Sequence, residues 1–220
     1  MARIGDTVRM VSQPSSSQPE WRQRANATRR RRSEQRILAA ARELLPSRPL
    51  RDLTVEEIAR AAGVPSSTVY TRFGTKAGVA AQLLAPDLLL LAEAAQADLE
   101  SDLSAREAIL GHLQRVGELV ELHRDLAEVA FAGFFQGAFH VPPAEPQHPR
   151  QALMALPGIL ISLLREGQRR AELRPDFDAD DVGRTLLNFF VIRFVSRDEP
   201  ATVSAGFVAD LILRGLLISS

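Results

Sequence analysis

Thr54-Val55-Glu56-Glu57-Ile58-Ala59-Arg60-Ala61-Ala62-Gly63-Val64-Pro65-Ser66-Ser67-Thr68-Val69-Tyr70-Thr71-Arg72-Phe73 decides the fold. Thr54 with Glu57 three residues on is a capping box, which opens a helix. Gly63 ends that helix, because it takes a left-handed backbone without steric cost. A second short helix is predicted from about Pro65 to Arg72. Two short helices joined by a tight glycine turn are the helix-turn-helix plan. Ala59 is small where the helices cross, and Ile58, Val64, Val69 and Phe73 are spaced to fill the core beneath the second helix. Ser66, Ser67, Thr68, Thr71 and Arg72 are left as candidates for the exposed face. Such side chains suit base edges and phosphates in a major groove. Tyr70, the single tyrosine, is placed to reach a phosphate beside that groove. The alternative is an ordinary helical hairpin with a polar face.

The residues that follow extend the surface. Thr75 and Lys76 open a fourth helix, whose free N–H groups and positive dipole end suit a phosphate. Lys76 is the only lysine in the chain. Upstream, Arg29, Arg30, Arg31 and Arg32 follow Arg22 and Arg24. An arginine-rich arm of this kind inserts into narrow minor grooves and adds affinity with little sequence information.

The formal net charge of zero conceals a split. Residues 1–80 carry 15 basic against 7 acidic side chains, and residues 81–220 carry 12 against 20. A basic arm on an acidic body points to nucleic acid, with a merely solvated tail as the alternative.

Periodicity predicts an all-α chain of about nine helices: Arg30–Leu45, Thr54–Gly63, Pro65–Arg72, Thr75–Glu100, Ser104–Leu122, Arg124–Phe139, Arg150–Glu172, Ala179–Ser196 and Thr202–Ile218. Pro86 is expected to kink the fourth helix or open a new one, and Pro157-Gly158 to bend the seventh. Residues 1–28 are expected to be a disordered basic arm, because Ser12 to Pro19 is polar and rich in Pro and Ser. Residues 29–80 are expected to form the DNA-binding domain and residues 81–220 the remaining domain.

The segment Arg32 to Leu84 resembles the tetracycline-repressor (TetR) family of bacterial regulators. The resemblance rests on Ile37-Leu38-Ala39-Ala40-Ala41, Thr54-Val55-Glu56-Glu57-Ile58-Ala59, Gly63-Val64-Pro65-Ser66-Ser67-Thr68-Val69-Tyr70 and Phe73-Gly74-Thr75-Lys76. It implies a homeodomain-like three-helix head that reads operator DNA, followed by a helical effector-binding and dimerisation domain. It also implies phosphate contacts at Thr54, Tyr70 and Lys76 and a groove-facing run from Pro65 to Thr71. The chain departs from the family pattern at Ala77, where an acidic residue is usual, and in Pro46 to Leu53, which lacks the usual glycine.

In the second domain, Leu186, Leu187, Phe189, Phe190, Ile192, Phe194 and Val195 make one helix apolar nearly all round, and Phe207, Val208, Leu211, Ile212, Leu216 and Leu217 do the same for the last. Such helices need more than one partner, so Leu186, Leu187, Phe190, Phe194, Phe207 and Leu211 are candidate homodimer contacts. The alternative is an ordinary monomer core. Phe131, Phe134, Phe135, Leu119, Met154 and Ile161 are candidate walls of an apolar effector pocket, with His112, Gln136 and Asn188 as its polar groups. Plain core packing is the competing reading of each. Together these readings describe a ligand-responsive, operator-binding repressor, homodimeric and cytoplasmic, with a small apolar effector and no cofactor.

Other classes find less support. The chain has no cysteine, no metal-ligand spacing of His and Glu, no glycine-rich phosphate loop and no Gly-x-Ser-x-Gly turn. An enzyme therefore lacks a site, and a helical adaptor would have no use for the arginine arm. No apolar run reads as a membrane span, and Met1 to Gln18 lacks the apolar core of a secretory signal.

Overall fold

The computed structural model describes residues 20–135, 149–197 and 199–216, which form nine α-helices and one 3-10 turn with no strand among them. The elements are α1 (Glu20–Leu44), the 3-10 turn (Leu50–Asp52), α2 (Val55–Ala62), α3 (Ser66–Phe73), α4 (Lys76–Leu99), α5 (Ala105–Leu122), α6 (Arg124–Phe135), α7 (Pro149–Arg169), α8 (Ala179–Ser196) and α9 (Ala201–Leu216).

The first three helices close on a small core. Ile37, Ala40 and Ala41 of α1 meet Val55, Ile58 and Ala59 of α2 and Val69 and Phe73 of α3, all buried. The segment expected to be an irregular loop is more ordered than that. Leu50 and Leu53 bracket its 3-10 turn and are 0% and 1% exposed. Each contributes about 1.5–3 kcal/mol on burial, enough to pin a segment that propensity leaves open.

One helix departs from expectation at its start. α1 begins at Glu20, not near Arg30, so residues 20–28 are helical and not a disordered arm. Arg, Ala and Gln are good helix formers and no breaker interrupts them.

α4 carries the head into the body. Its first turns bury Ala77, Val79, Ala80, Leu83 and Leu84, and its later ones Leu88, Leu91 and Ala95. It is continuous through Pro86, which faces solvent. By length and composition α4 is long and apolar enough to cross a membrane, unlike the sequence reading, but half of that stretch is buried inside the fold against its neighbours α5, α6 and α7. Likewise α7 runs through Pro157-Gly158 as one helix. α5 and α9 pack together, as do α7 with α8 and α8 with α9. A single apolar core links Ile37 of α1 to Ala209 of α9.

Candidate nucleic-acid interface

Each part of the reading head has a local cause. The Thr54–Glu57 capping box forms as expected: the Glu57 backbone N–H donates to Thr54 Oγ1 at 3.1 Å, and the Thr54 backbone N–H donates to Glu57 Oε2 at 2.8 Å. Arg48 donates to Glu57 at 2.5 Å. With these donors around it, chiefly the Arg48 guanidinium and then Thr54, the Glu57 carboxyl is lowered to about 2. Gly63 adopts φ 61° at the end of α2, and Arg36 of α1 donates to its carbonyl at 2.9 Å.

α3 divides by face. Val69 and Phe73 are buried, while Ser67, Tyr70 and Thr71 are exposed and Ser66, Thr68 and Arg72 are half-buried. At 100° per residue, Ser67, Thr68 and Thr71 share the side opposite the buried pair. Pro65 is exposed at the N-cap. Arg72 falls on the flank beside the core and is half-buried, with Nε lacking a partner among the described residues, rather than on the outward face expected of it. Tyr70 donates its hydroxyl to Glu56 at 3.3 Å, and the negative charge of Glu56 raises its pKa.

The α3–α4 turn is set by Gly78. A Cβ there would sit 1.9 Å from the Phe73 carbonyl oxygen, so only glycine lets α4 start this close behind α3. Thr75 caps α4 by accepting from the Gly78 N–H at 3.3 Å. The Lys76 ammonium then turns back and donates to the carbonyls of Arg51 at 2.5 Å and Leu53 at 2.9 Å. Two of its three protons are therefore committed, and one remains for an anion. Since Leu53 directly precedes Thr54, Lys76 also holds the N-termini of α2 and α4 side by side. Two positive dipole ends and an ammonium thus converge at one edge of α3.

Arg29, Arg30 and Arg31 lie on the projecting part of α1. Arg29 and Arg31 are exposed; Arg30 is half-buried and pairs with Glu34 at 2.9 Å.

The candidate effector residues within the described part of the chain sit in different environments. His112 is 1% exposed with Nδ1 lacking a partner among the described residues. Burial, and then the nearby positive Arg115, push its pKa down to about 4. Phe131 is buried and Leu119 half-buried. Ile161 is buried against Gly183 of α8, and Asn188 is exposed. The side chains of Phe134, Phe135 and Met154, and all of Gln136, lie outside the described residues. A groove of about 790 Å³ between α5 and α9, lined by Arg106, Leu110, Phe207 and Leu211 among others, includes none of these candidates.

The dimer candidates also separate. Leu186, Leu187, Phe190 and Phe194 are buried in the chain's own core, which corrects their assignment as contacts to a second copy. Phe207 and Leu211 are 45% and 55% exposed, and Phe189, Ile192 and Val203, which were not among the candidate dimer contacts, are exposed as well. The apolar character of α8 and α9 was legible, but which stripe faces inward was not.

Residues 37–83 match the family model of bacterial regulatory proteins, tetR family. No curated protein matches the chain. Among solved structures it is similar to Thermus thermophilus FadR, a TetR-family transcriptional repressor in complex with lauroyl-CoA, at 23% identity over 85% of this chain and 96% of that one, with a TM-score of 0.68. It is similar to the FadR regulator of Bacillus subtilis in complex with stearoyl-CoA, at 19% identity over 82% and 98%, with a TM-score of 0.57. It is also similar to the ketosteroid regulator KstR2 of Mycobacterium tuberculosis, at 21% identity over 84% and 95%, with a TM-score of 0.55. At these identities the likeness is one of fold.

Proposed function

We propose that this chain, whose residues 37–83 match the family model of bacterial regulatory proteins, tetR family, is a ligand-responsive transcriptional repressor that binds operator DNA as a homodimer in the cytoplasm. The observation that carries this reading is the arrangement around α3: Ser67, Thr68 and Thr71 point away from the buried Val69 and Phe73, beside the paired helix N-termini held by Lys76. Short hydroxyl side chains read base edges, and the paired N-termini take a backbone phosphate on the flank.

Two copies joined through Phe189, Ile192, Val203, Phe207 and Leu211 set their α3 helices in successive major grooves about 34–36 Å apart, on a near-palindromic site. The neighbours' acyl-CoA ligands favour an apolar small molecule as effector. Effector and operator are then linked reciprocally, each lowering affinity for the other.

An electrophoretic shift with the DNA upstream of the chain's own gene, at 50 and 200 mM salt, tests the reading. A retarded band that survives unrelated competitor DNA and weakens with salt supports it. Loss of the band on adding lauroyl-CoA as a first probe supports the effector class. Absence of salt-sensitive binding overturns the DNA reading.

A further inference from the structure

α1 is longer than the head needs. Its buried residues begin at Ile37, so Glu20 to Gln35 precede them by about four turns, with Arg30, Ser33 and Glu34 half-buried among the described side chains. A helix that is polar all round is not stabilised by packing, and short isolated helices are marginal in water. Its arginines are also ordered by face. Arg22, Arg29, Arg32 and Arg36 recur at spacings of seven, three and four, which puts them on one side of the helix. That side is fixed relative to the head, because Arg36 donates to Gly63 in the α2–α3 turn. Arg22, Arg29 and Arg32 are exposed, and among the described residues no carboxylate pairs with them.

We propose that this stripe is a rigid phosphate rail, binding the sugar-phosphate backbone of duplex DNA alongside the operator half-site. The inference rests on the DNA reading above and adds a second contact surface to it. From Arg22 to Arg36 the stripe spans about 21 Å, and one duplex strand presents a phosphate about every 3.4 Å of helix axis. Because a strand winds about the axis, the row runs beside it for part of a turn, and the long arginine side chains reach more than one of its phosphates from there. Neutralising them removes the mutual repulsion of the row and supports the helix that carries it. The contacts are to phosphate oxygens, so the rail adds affinity without reading sequence.

The test measures operator affinity of the full chain against salt for two variants of equal charge. Arg29→Gln with Arg32→Gln strips the rail; Arg42→Gln with Arg197→Gln removes the same charge from exposed positions outside it. Glutamine keeps helix propensity close to that of arginine. The rail variant is expected to flatten the slope of log K against log salt by about 0.9 per lost contact, or about 1.8 per subunit. The equal-charge control leaves the slope near wild type. Equal flattening by both variants, or by neither, overturns the rail while leaving operator binding intact. If the wild-type chain itself shows no salt-dependent operator binding, the DNA reading fails, and the rail with it.

Discussion

Arg51 joins the reading head to the helical body through Glu128. Its guanidinium lies 3.3 Å from that carboxylate and 3.5 Å from Asp125, both on α6, while its own carbonyl accepts from Lys76. One residue of the 3-10 turn thus touches α6 at one end and the start of α4 at the other. Exposed ion pairs are weak, so a double-mutant cycle of Arg51→Gln and Glu128→Gln, read by urea unfolding, should give a coupling of about 0.2–1 kcal/mol that fades in 1 M salt. A coupling that persists in high salt would mean that the contact is not electrostatic.

Lys76 ties the 3-10 turn to α4 and, in the proposed complex, donates to a phosphate. Lys76→Met should lower the stability of the head by about 1–2 kcal/mol, because two carbonyls lose a charged donor. It should also flatten the salt slope of operator binding by no more than about 0.9 per subunit. Thermal unfolding and a salt titration measure the two effects separately.

Gly78→Ala should cost at least about 1–3 kcal/mol, since the added methyl meets the Phe73 carbonyl and α4 must shift away from α3. Operator affinity should fall with it. A variant of wild-type stability would mean that the α3–α4 turn is looser than drawn.

Acid should weaken the protein in two steps with separate causes. His112 is lowered from 6.5 to about 4 in the fold, so the unfolded chain binds more protons between those values, and stability falls as pH drops through that window. Glu57 is lowered from 4.5 to about 2, so its contribution is complete above 4.5 and disappears as pH falls toward 2. In urea titrations repeated across pH, His112→Leu should remove the first slope, and Glu57→Gln should reduce the second, which it shares with Glu166, likewise lowered to about 2 by Arg169 and Arg170.

Leu211→Glu should leave the monomer fold intact, since the residue is 55% exposed, yet abolish dimerisation. Sedimentation velocity at micromolar concentration should show a monomer, and operator affinity should drop at least tenfold. A wild-type sedimentation profile would place the interface elsewhere.

Local chemistry made much of the head legible. Thr54 with Glu57, and Gly63, work through neighbours three or four residues away, and each is found doing what its spacing implies. The effector region was harder. Whether Ile161 lines a pocket or packs on Gly183 depends on where α8 lies, and the chain's periodicity carries no information about that.

The sequence by itself determined an all-helical chain, a helix-turn-helix ending at Phe73 and a basic N-terminal segment, because capping, turn and charge signals act over short range. Only the tertiary structure decided that Lys76 is spent on the carbonyls of Arg51 and Leu53, that Arg72 lies beside the core, and that Phe190 and Phe194 face inward while Phe207 and Leu211 face out. A side chain's partner is set by which helices pack together, and residues alike in hydropathy can take either side of that boundary.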